Sequence, residues 1–205
     1  MHQDILDWIT ENVYNEPLDN TVEKQSEEID PDLDYNDHEP EHLLIECGAS
    51  FRETTDRYVV IYTDGSCLGN GTVDAKAAIG VYFGPFSPLN IAAQLPSQYR
   101  QTNNTAEIVA VTRAILAAKK SEYTLIEIRT DSKFVIHCIK KYLPFWLKNG
   151  WLTTTGQPVI NQPELEELYH VMKGVSIRLV HIKGHSGSVG NDRADFLARL
   201  ANLKT

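Results

Sequence analysis

Four acidic residues lie at positions where a carboxylate could do chemistry. Asp64 and Asp131 each end an apolar run that predicts a strand. Glu107 opens a run with helical periodicity, and Asp195 lies in the first turn of the last predicted helix. All four offer oxygen ligands only, which select Mg²⁺ or Mn²⁺ over Zn²⁺. Two such ions ~3.5–4 Å apart can hold the attacking and leaving oxygens of a phosphoryl transfer, so this is the chemistry that the set indicates.

Glu107 is the most informative of the four, because its helical neighbours are apolar. The residues three, four, seven and eight positions later are Ala110, Val111, Ala114 and Ile115. Glu107 therefore heads the stripe that packs on a sheet, where a lone carboxylate has a large desolvation cost. The nearest cations in sequence, Arg100 and Arg113, are not obvious partners. An ion pair or a helix-start acid remains the alternative for Glu107 taken alone.

The elements that must position these carboxylates form an α/β pattern. Five strands are predicted, at 58–63, 77–83, 89–95, 124–130 and 175–181. Helices are predicted at 104–120, 132–141, 163–172 and 191–203. The first three strands should form an antiparallel meander, and strands one, four and five should be parallel with right-handed crossovers. The result is a mixed five-stranded sheet flanked by helices, with Asp64 and Asp131 at the strand ends where such sheets bind ligands.

The four carboxylates, in this order and with a Gly-His-Ser-Gly stretch at 184–187 before the last one, resemble type 1 ribonuclease H. The resemblance covers about residues 57–203. It implies a ribonuclease H-like fold and an endonuclease that hydrolyses the RNA strand of an RNA–DNA hybrid. Two Mg²⁺ ions, with Mn²⁺ as a substitute, would serve the reaction and leave 5′-phosphate and 3′-hydroxyl ends.

The resemblance also implies a role for each residue of the metal site. Asp64 would contact both ions, Asp195 the ion on the side of the attacking water, and Glu107 and Asp131 the ion on the side of the leaving group. His185 would approach the ions from its loop and assist the activation of water or the release of product. We interpret Asn191 as the N-cap of the last helix.

A substrate surface is implied as well. Telling RNA from DNA requires hydrogen-bonding groups at the 2′-hydroxyls. The groups that the resemblance places on the RNA strand are Asn70, Asn103 and Asn104, together with the backbone around Cys67 and Gly69. Capping of the helix that opens with Glu107 is the alternative for the two adjacent asparagines. The phosphate pocket for the DNA strand would comprise Arg100, Thr102 and Asn161.

The segment 140–151 resembles a basic protrusion that holds the DNA strand, through Tyr142 and Trp146 among its lysines. The pattern departs from the family here, because Tyr142 stands where relatives often have Trp and Pro144 interrupts the predicted helix. An ordinary exposed loop, with Trp151 in the core, is the alternative.

Charge divides the chain at an N-terminal leader. Residues 1–50 hold 15 Asp or Glu and one lysine, a charge of −14, so the rest of this −9 chain carries +5. We predict an acidic, largely disordered leader over 1–56 and a catalytic domain over 57–205. Within the leader, residues 1–14 could form a short helix, and 15–41 should be disordered. A solvated tail, a docking site for a protein partner and an autoinhibitory segment all remain open for it.

Three cysteines without metal-ligand spacing, and no visible signal peptide, lead us to expect an intracellular protein of the nucleus or cytoplasm. No apolar run approaches the ~18–20 residues of a membrane span. We expect a monomer whose main partner is the hybrid. A hybrid-binding module that does not cleave and another polynucleotidyl transferase of the same fold are the competing interpretations. Loss of any carboxylate would favour the first, and all four are present.

Overall fold

The computed structural model describes residues 57–184 and 186–203 in full, and the backbone alone of 42–46 and 49–53. Within these residues seven strands form one sheet: β1 (His42–Glu46), β2 (Ala49–Glu53), β3 (Val59–Leu68), β4 (Lys76–Tyr82), β5 (Ile91–Gln94), β6 (Leu125–Thr130) and β7 (Ser176–His181). The helices are α1 (Asn103–Lys120), α2 (Lys133–His137), α3 (Leu143–Asn149), α4 (Gln162–Met172) and α5 (Val189–Leu203).

The predicted mixed sheet is confirmed by the five strands from β3 onward. β3 is central, with β4 antiparallel on one side and β6 parallel on the other. β5 continues the antiparallel side, and β7 continues the parallel side. Three antiparallel and two parallel strands are the arrangement that the order of elements predicts.

Two strands that the sequence analysis does not predict lie before β3. β1 and β2 pair with each other antiparallel, and Glu53 of β2 lies opposite Val59 of β3. They extend the sheet into the predicted leader. The predicted helix at 1–14 and the predicted disorder at 15–41 lie outside the described residues.

The two long helices cover opposite faces of the sheet, because successive side chains of a strand point to opposite faces. Val59 and Ile61 of β3 share the main core with Ile108 and Ile115 of α1. Tyr62, on the other face, packs with Ala194 of α5. Two close approaches need glycine: a Cβ on Gly65 would overlap α1, and one on Gly80 would overlap α5.

The region between β6 and α4 differs from its prediction. The prediction that the helix ends near residue 141 and that Pro144 interrupts it is wrong. A π-helical turn (Cys138–Tyr142) joins α2 directly to α3. Pro144 is the second residue of α3, a position near a helix start where proline is tolerated. Gly150 follows the last residue of α3 as its C-cap, with a φ of 76° that glycine adopts readily. None of the helices in the described ranges has the length and apolarity to cross a membrane.

Candidate active site

Three of the four predicted carboxylates converge at one edge of the sheet. One oxygen each of Asp64, Glu107 and Asp131 lies within 4.8 Å of the others. Asp131 directly follows β6, as predicted. Asp64 does not end its strand, because β3 continues to Leu68. It lies two residues beyond Tyr62, where the parallel pairing with β6 stops. The end of that pairing, rather than the end of the strand, therefore opens the edge to a ligand.

Glu107 is the desolvated carboxylate that the apolar stripe predicts. Its residue is 6 % exposed, and its Oε2 is buried without a hydrogen-bond partner among the described residues. α1 lies so close to β3 that a Cβ on Gly65 would be 2.5 Å from the Glu107 backbone nitrogen. Arg113, one candidate ion-pair partner, lies 3.6 Å from Glu167 instead.

The proximity of the carboxylates shows in their pKa values. Burial, and then the charges of Asp131 and Asp195, raise the pKa of Asp64 to about 7. Burial, and then the charges of Asp64 and Asp131, raise the pKa of Glu107 well above its usual range. A hydrogen bond from the Gly65 N–H opposes both shifts. Ionising all of these carboxylates together is therefore unfavourable in the fold. A bound divalent cation would balance their negative charge.

The donor set fits a hard cation. It offers carboxylate oxygens only, two of its three residues are buried, and the Glu107 Oε2 has no hydrogen-bond partner among the residues that the structure describes. Mg²⁺ and Mn²⁺ prefer such ligands. Asp64, Glu107 and Asp131 are the residues that would hold the ion.

Asp195 lies at the border of the cluster. It is in the second turn of α5 rather than the predicted first, because the helix begins at Val189. Its Oδ1 lies 2.8 Å from Nε of Arg199, one turn further along α5. The side chain is 27 % exposed, so Asp195 is more accessible than the buried Asp64 and Glu107. Its charge nevertheless acts on Asp64, as the raised pKa shows.

Asn191 is a site residue that the sequence analysis misassigns. It is not the N-cap of the last helix but the third residue of α5. Its buried side chain donates a hydrogen bond from Nδ2 to Oδ2 of Asp131 at 3.1 Å. The signal that could have identified it is its spacing: four residues before Asp195, it shares a face of the helix with that carboxylate. His185 lies outside the described residues.

The start of α1 decides the alternative left open for the adjacent asparagines. The cap is Thr102, whose Oγ1 accepts a hydrogen bond from the Thr105 N–H at 3.2 Å. Asn103 and Asn104 are the first two helical residues, so the interpretation of either as the N-cap is wrong. The Asn103 N–H donates to Oδ1 of Asn70 at 3.3 Å, which joins the turn after β3 to the start of α1.

The turn between β3 and β4 brings the other predicted RNA contacts to the same place. Gly69 has a φ of 61° and begins the turn, accepting a hydrogen bond from the Thr72 N–H at 2.9 Å. Cys67 is half-buried, and its Sγ lies 3.5 Å from the backbone oxygen of Gln101. Burial raises the pKa of the Cys67 thiol, which opposes its ionisation.

Two of the three residues of the predicted phosphate pocket are linked through a threonine that the sequence analysis misses. Thr105 is buried, and its Oγ1 accepts a hydrogen bond from Nδ2 of Asn161 at 3.0 Å. The same oxygen lies 2.7 Å from Oγ1 of Thr102. Arg100 is exposed, and its backbone oxygen accepts a hydrogen bond from the Thr102 N–H. The pocket residues therefore lie together, beside the cap of α1.

In the predicted protrusion, segment 140–151, three aromatic rings lie next to one another. The centroids of Tyr142 and Trp146 are 5.3 Å apart, and those of Trp146 and Trp151 are 6.1 Å apart. Trp151 is buried, as the alternative for this segment supposes, and Trp146 packs partly against the core. Tyr142 remains exposed beside Lys141, whose Nζ lies 5.6 Å from the ring centroid.

Comparison with known proteins agrees with this geometry. The family model described as RNase H matches residues 56–202. The chain is 48 % identical over 141 residues to "Ribonuclease H1" of Mus musculus, which covers 69 % of this chain and 49 % of that protein. It therefore spans about half the length of this relative. "Ribonuclease H" of Clostridium botulinum is 37 % identical over 147 residues, or 70 % of this chain and 94 % of that protein. The solution structure of the PFV RNase H domain is 28 % identical with a TM-score of 0.55, covering 70 % of this chain and 93 % of that one.

Proposed function

The chain belongs to the ribonuclease H family, and from this premise we propose that it is a metal-dependent endonuclease that hydrolyses the RNA strand of RNA–DNA hybrids. The observation that carries the proposal is the convergence of Asp64, Glu107 and Asp131 within 4.8 Å, with one oxygen of the buried Glu107 unpartnered within the described part of the chain. Such a cluster is costly to a fold unless a cation balances it.

We assign two Mg²⁺ ions to the reaction, with Mn²⁺ as a substitute. When bound, they would lower the pKa of the attacking water and neutralise charge on the leaving oxygen. The charges of Asp131 and Asp195 raise the pKa of Asp64, and the charge of Asp64 raises that of Glu107. This coupling to all three other carboxylates supports Asp64 as the residue that would contact both ions. The products would carry 5′-phosphate and 3′-hydroxyl ends.

The chain's own residues fix the geometry of this centre. Asn191 holds one oxygen of Asp131 by its hydrogen bond, which leaves the other oxygen for a ligand. Gly184 lies against the same carboxylate: a Cβ there would be 2.8 Å from Oδ2. The loop that carries His185 therefore starts beside the site. We propose that His185 assists the reaction without being a ligand.

Selection of RNA is assigned to the junction of the β3–β4 turn with α1. Asn103 is half-buried, and Asn70 and Asn104 are exposed, beside the backbone of Cys67 and Gly69. Side-chain amides there offer both donors and acceptors for 2′-hydroxyls. Arg100, Thr102 and Asn161 would receive a phosphate of the DNA strand, and Tyr142 and Trp146 would contact the same strand further along.

A cleavage assay with four substrates tests the proposal: an RNA–DNA hybrid, duplex RNA, duplex DNA and single-stranded RNA. We expect cleavage of the hybrid alone, within its RNA strand, in Mg²⁺ or Mn²⁺. Ca²⁺ should support binding without cleavage, because it takes more ligands in looser geometry. Cleavage in EDTA would refute the metal mechanism. Binding of the hybrid without cleavage in either metal would instead support a module that only binds.

A further inference from the structure

One face of α5 exposes an apolar stripe that the proposed activity does not use. Val189, Phe196 and Leu203 are 56 %, 55 % and 74 % exposed. They are seven residues apart, and a seven-residue row drifts by only ~20° per repeat on a helix. The three side chains therefore form one stripe, about 21 Å long at ~1.5 Å per residue. We call it the α5 stripe.

The α5 stripe is separate from the core. The inner face of α5 carries the buried Ala194, Ala198 and Ala201, and Gly190 lies against the ring of Tyr62. Single exposed apolar residues are ordinary on a protein surface. Three of them in a row on one helix face form a strip of exposed apolar surface that a second apolar surface could cover.

We propose that the α5 stripe docks residues 1–14 of the same chain. In that segment Ile5, Ile9 and Val13 recur at helical spacing, with Trp8 beside them. A helix of this length is unstable alone in water and needs an apolar partner surface to form.

The charges near the two surfaces do not oppose the fit. The α5 stripe is bordered by the exposed Asp192, Arg193 and Arg199, and Arg199 is paired with Asp195. Residues 1–14 carry Asp4, Asp7 and Glu11 and contain no lysine or arginine. At about 100° per residue, these carboxylates lie on the side of a helix opposite Ile5, Ile9 and Val13, so they would stay in water when the apolar side docks.

The connecting chain is long enough to allow this docking. Residues 15–41 separate the segment from β1, which joins the sheet through β2 at Val59 of β3, and α5 packs on β3. A flexible linker of this length has a typical end-to-end distance of about 30 Å. Tethering gives an effective concentration of the order of millimolar. Docking therefore needs only weak intrinsic affinity.

Hydrogen–deuterium exchange of the full chain tests the inference. We expect the backbone amides of 1–14 to exchange at least about tenfold more slowly than an unstructured peptide. Phe196→Asp should remove that protection, and so should Ile5→Asp combined with Ile9→Asp. Val73→Asp is the matched control, because Val73 is fully exposed in the turn between β3 and β4 and is not part of the α5 stripe, and it should leave the protection intact.

Three results would overturn the inference. One is exchange of 1–14 at unstructured rates in the wild-type chain. The second is protection that survives Phe196→Asp while circular dichroism shows the variant folded. The third is protection that rises with protein concentration, with a larger sedimentation coefficient that Phe196→Asp reduces, because the α5 stripe would then bind a second copy. Protection should persist in ~0.5 M salt, since burial of apolar surface is not screened.

Discussion

At the scale of single residues, Asp64 is the carboxylate whose charge is coupled to each of the other three. Burial and the charges of Asp131 and Asp195 raise its pKa to about 7, and its own charge raises the pKa of Glu107. The free energy of unfolding should therefore depend on whether Asp64 is charged and on whether a cation is bound beside it. Replacement and titration of Asp64 are the most informative measurements at this scale.

Asp64→Asn should abolish cleavage of the hybrid while preserving the fold and hybrid binding. The amide keeps nearly the same volume but removes one negative charge from the site that would hold the ions. Steady-state kinetics in Mg²⁺ is the measurement, with Glu122→Gln, at an exposed turn after α1, as the control. Turnover within about tenfold of the wild type would contradict the two-metal assignment.

Without metal, the protein should lose stability as the pH rises from about 4 to about 7. The folded state, with a pKa of about 7 at Asp64, binds more protons in that range than the unfolded state, with its ordinary pKa of 3.8. Above pH 7 the loss is complete. In EDTA at pH 8, Asp64→Asn should therefore raise the free energy of unfolding by about 2–4 kcal/mol relative to the wild type, since a pKa unit corresponds to about 1.4 kcal/mol.

Urea denaturation of both proteins at pH 5 and pH 8 checks this pH dependence. The gain from Asp64→Asn should be less than half as large at pH 5 as at pH 8, because most of the interval between the two pKa values lies above pH 5. An equal effect at both pH values would show that the charge of Asp64 is tolerated in the fold without a cation.

At the scale of elements, adjacent residues at the start of α1 have different roles: one caps the helix, and the next joins it to the turn after β3. Thr102 caps the helix and bonds to Thr105, while Asn103 meets Asn70 through its backbone. The side chains of Asn103 and Asn104 are therefore not needed for the cap, which leaves them for a ligand.

Asn103→Ala and Asn104→Ala should weaken hybrid binding and cleavage with little change in melting temperature. Each variant would lose the proposed hydrogen bond to RNA, worth about 0.5–1.5 kcal/mol, which corresponds to a several-fold rise in Kd. Thr102→Ala is the contrasting variant: it should cost about 1 kcal/mol of stability through the lost cap, which Thr102→Ser should largely restore. Earlier melting of the asparagine variants with unchanged kinetics would assign them to structure alone.

At the scale of the whole molecule, charge separates an acidic N-terminal region from a mildly basic remainder. The cations predicted to hold the DNA strand include Arg100, Lys141 and Lys148, all of which are exposed. A tethered polyanion can compete for them with the phosphates of a hybrid.

Deletion of residues 1–41 should lower KM several-fold at low ionic strength and leave kcat nearly unchanged. The deletion removes 14 acidic residues and one lysine and retains both β1 and β2. The gain should fade as salt screens the charges. A full-length variant with the acidic residues of 15–41 replaced by their amides is the control, because it removes charge without shortening the chain. Equal KM values at low salt would exclude electrostatic autoinhibition.

Local patterns in the sequence were sufficient for the parts of this protein that depend on residue type and order. The apolar runs and helical periodicity predicted the mixed sheet, and the four carboxylates with their contexts predicted the family. The stripe that follows Glu107 predicted its burial, because helical spacing alone places that side chain on the packed face. These features hold because period and polarity are properties of neighbouring residues.

Only the tertiary structure decided which groups meet. Asn191 and Asp131 are 60 residues apart, and their hydrogen bond exists because α5 packs beside the end of β6. Asp64 reaches the cluster from inside a strand. The pairing of β3 with β6 stops at Tyr62, while the pairing of β3 with β4 continues to Leu68. The choice of Thr102 over its neighbours as the cap depends on where α1 meets the sheet. Contacts of this kind follow from how the elements pack against one another, and short-range patterns do not contain that information.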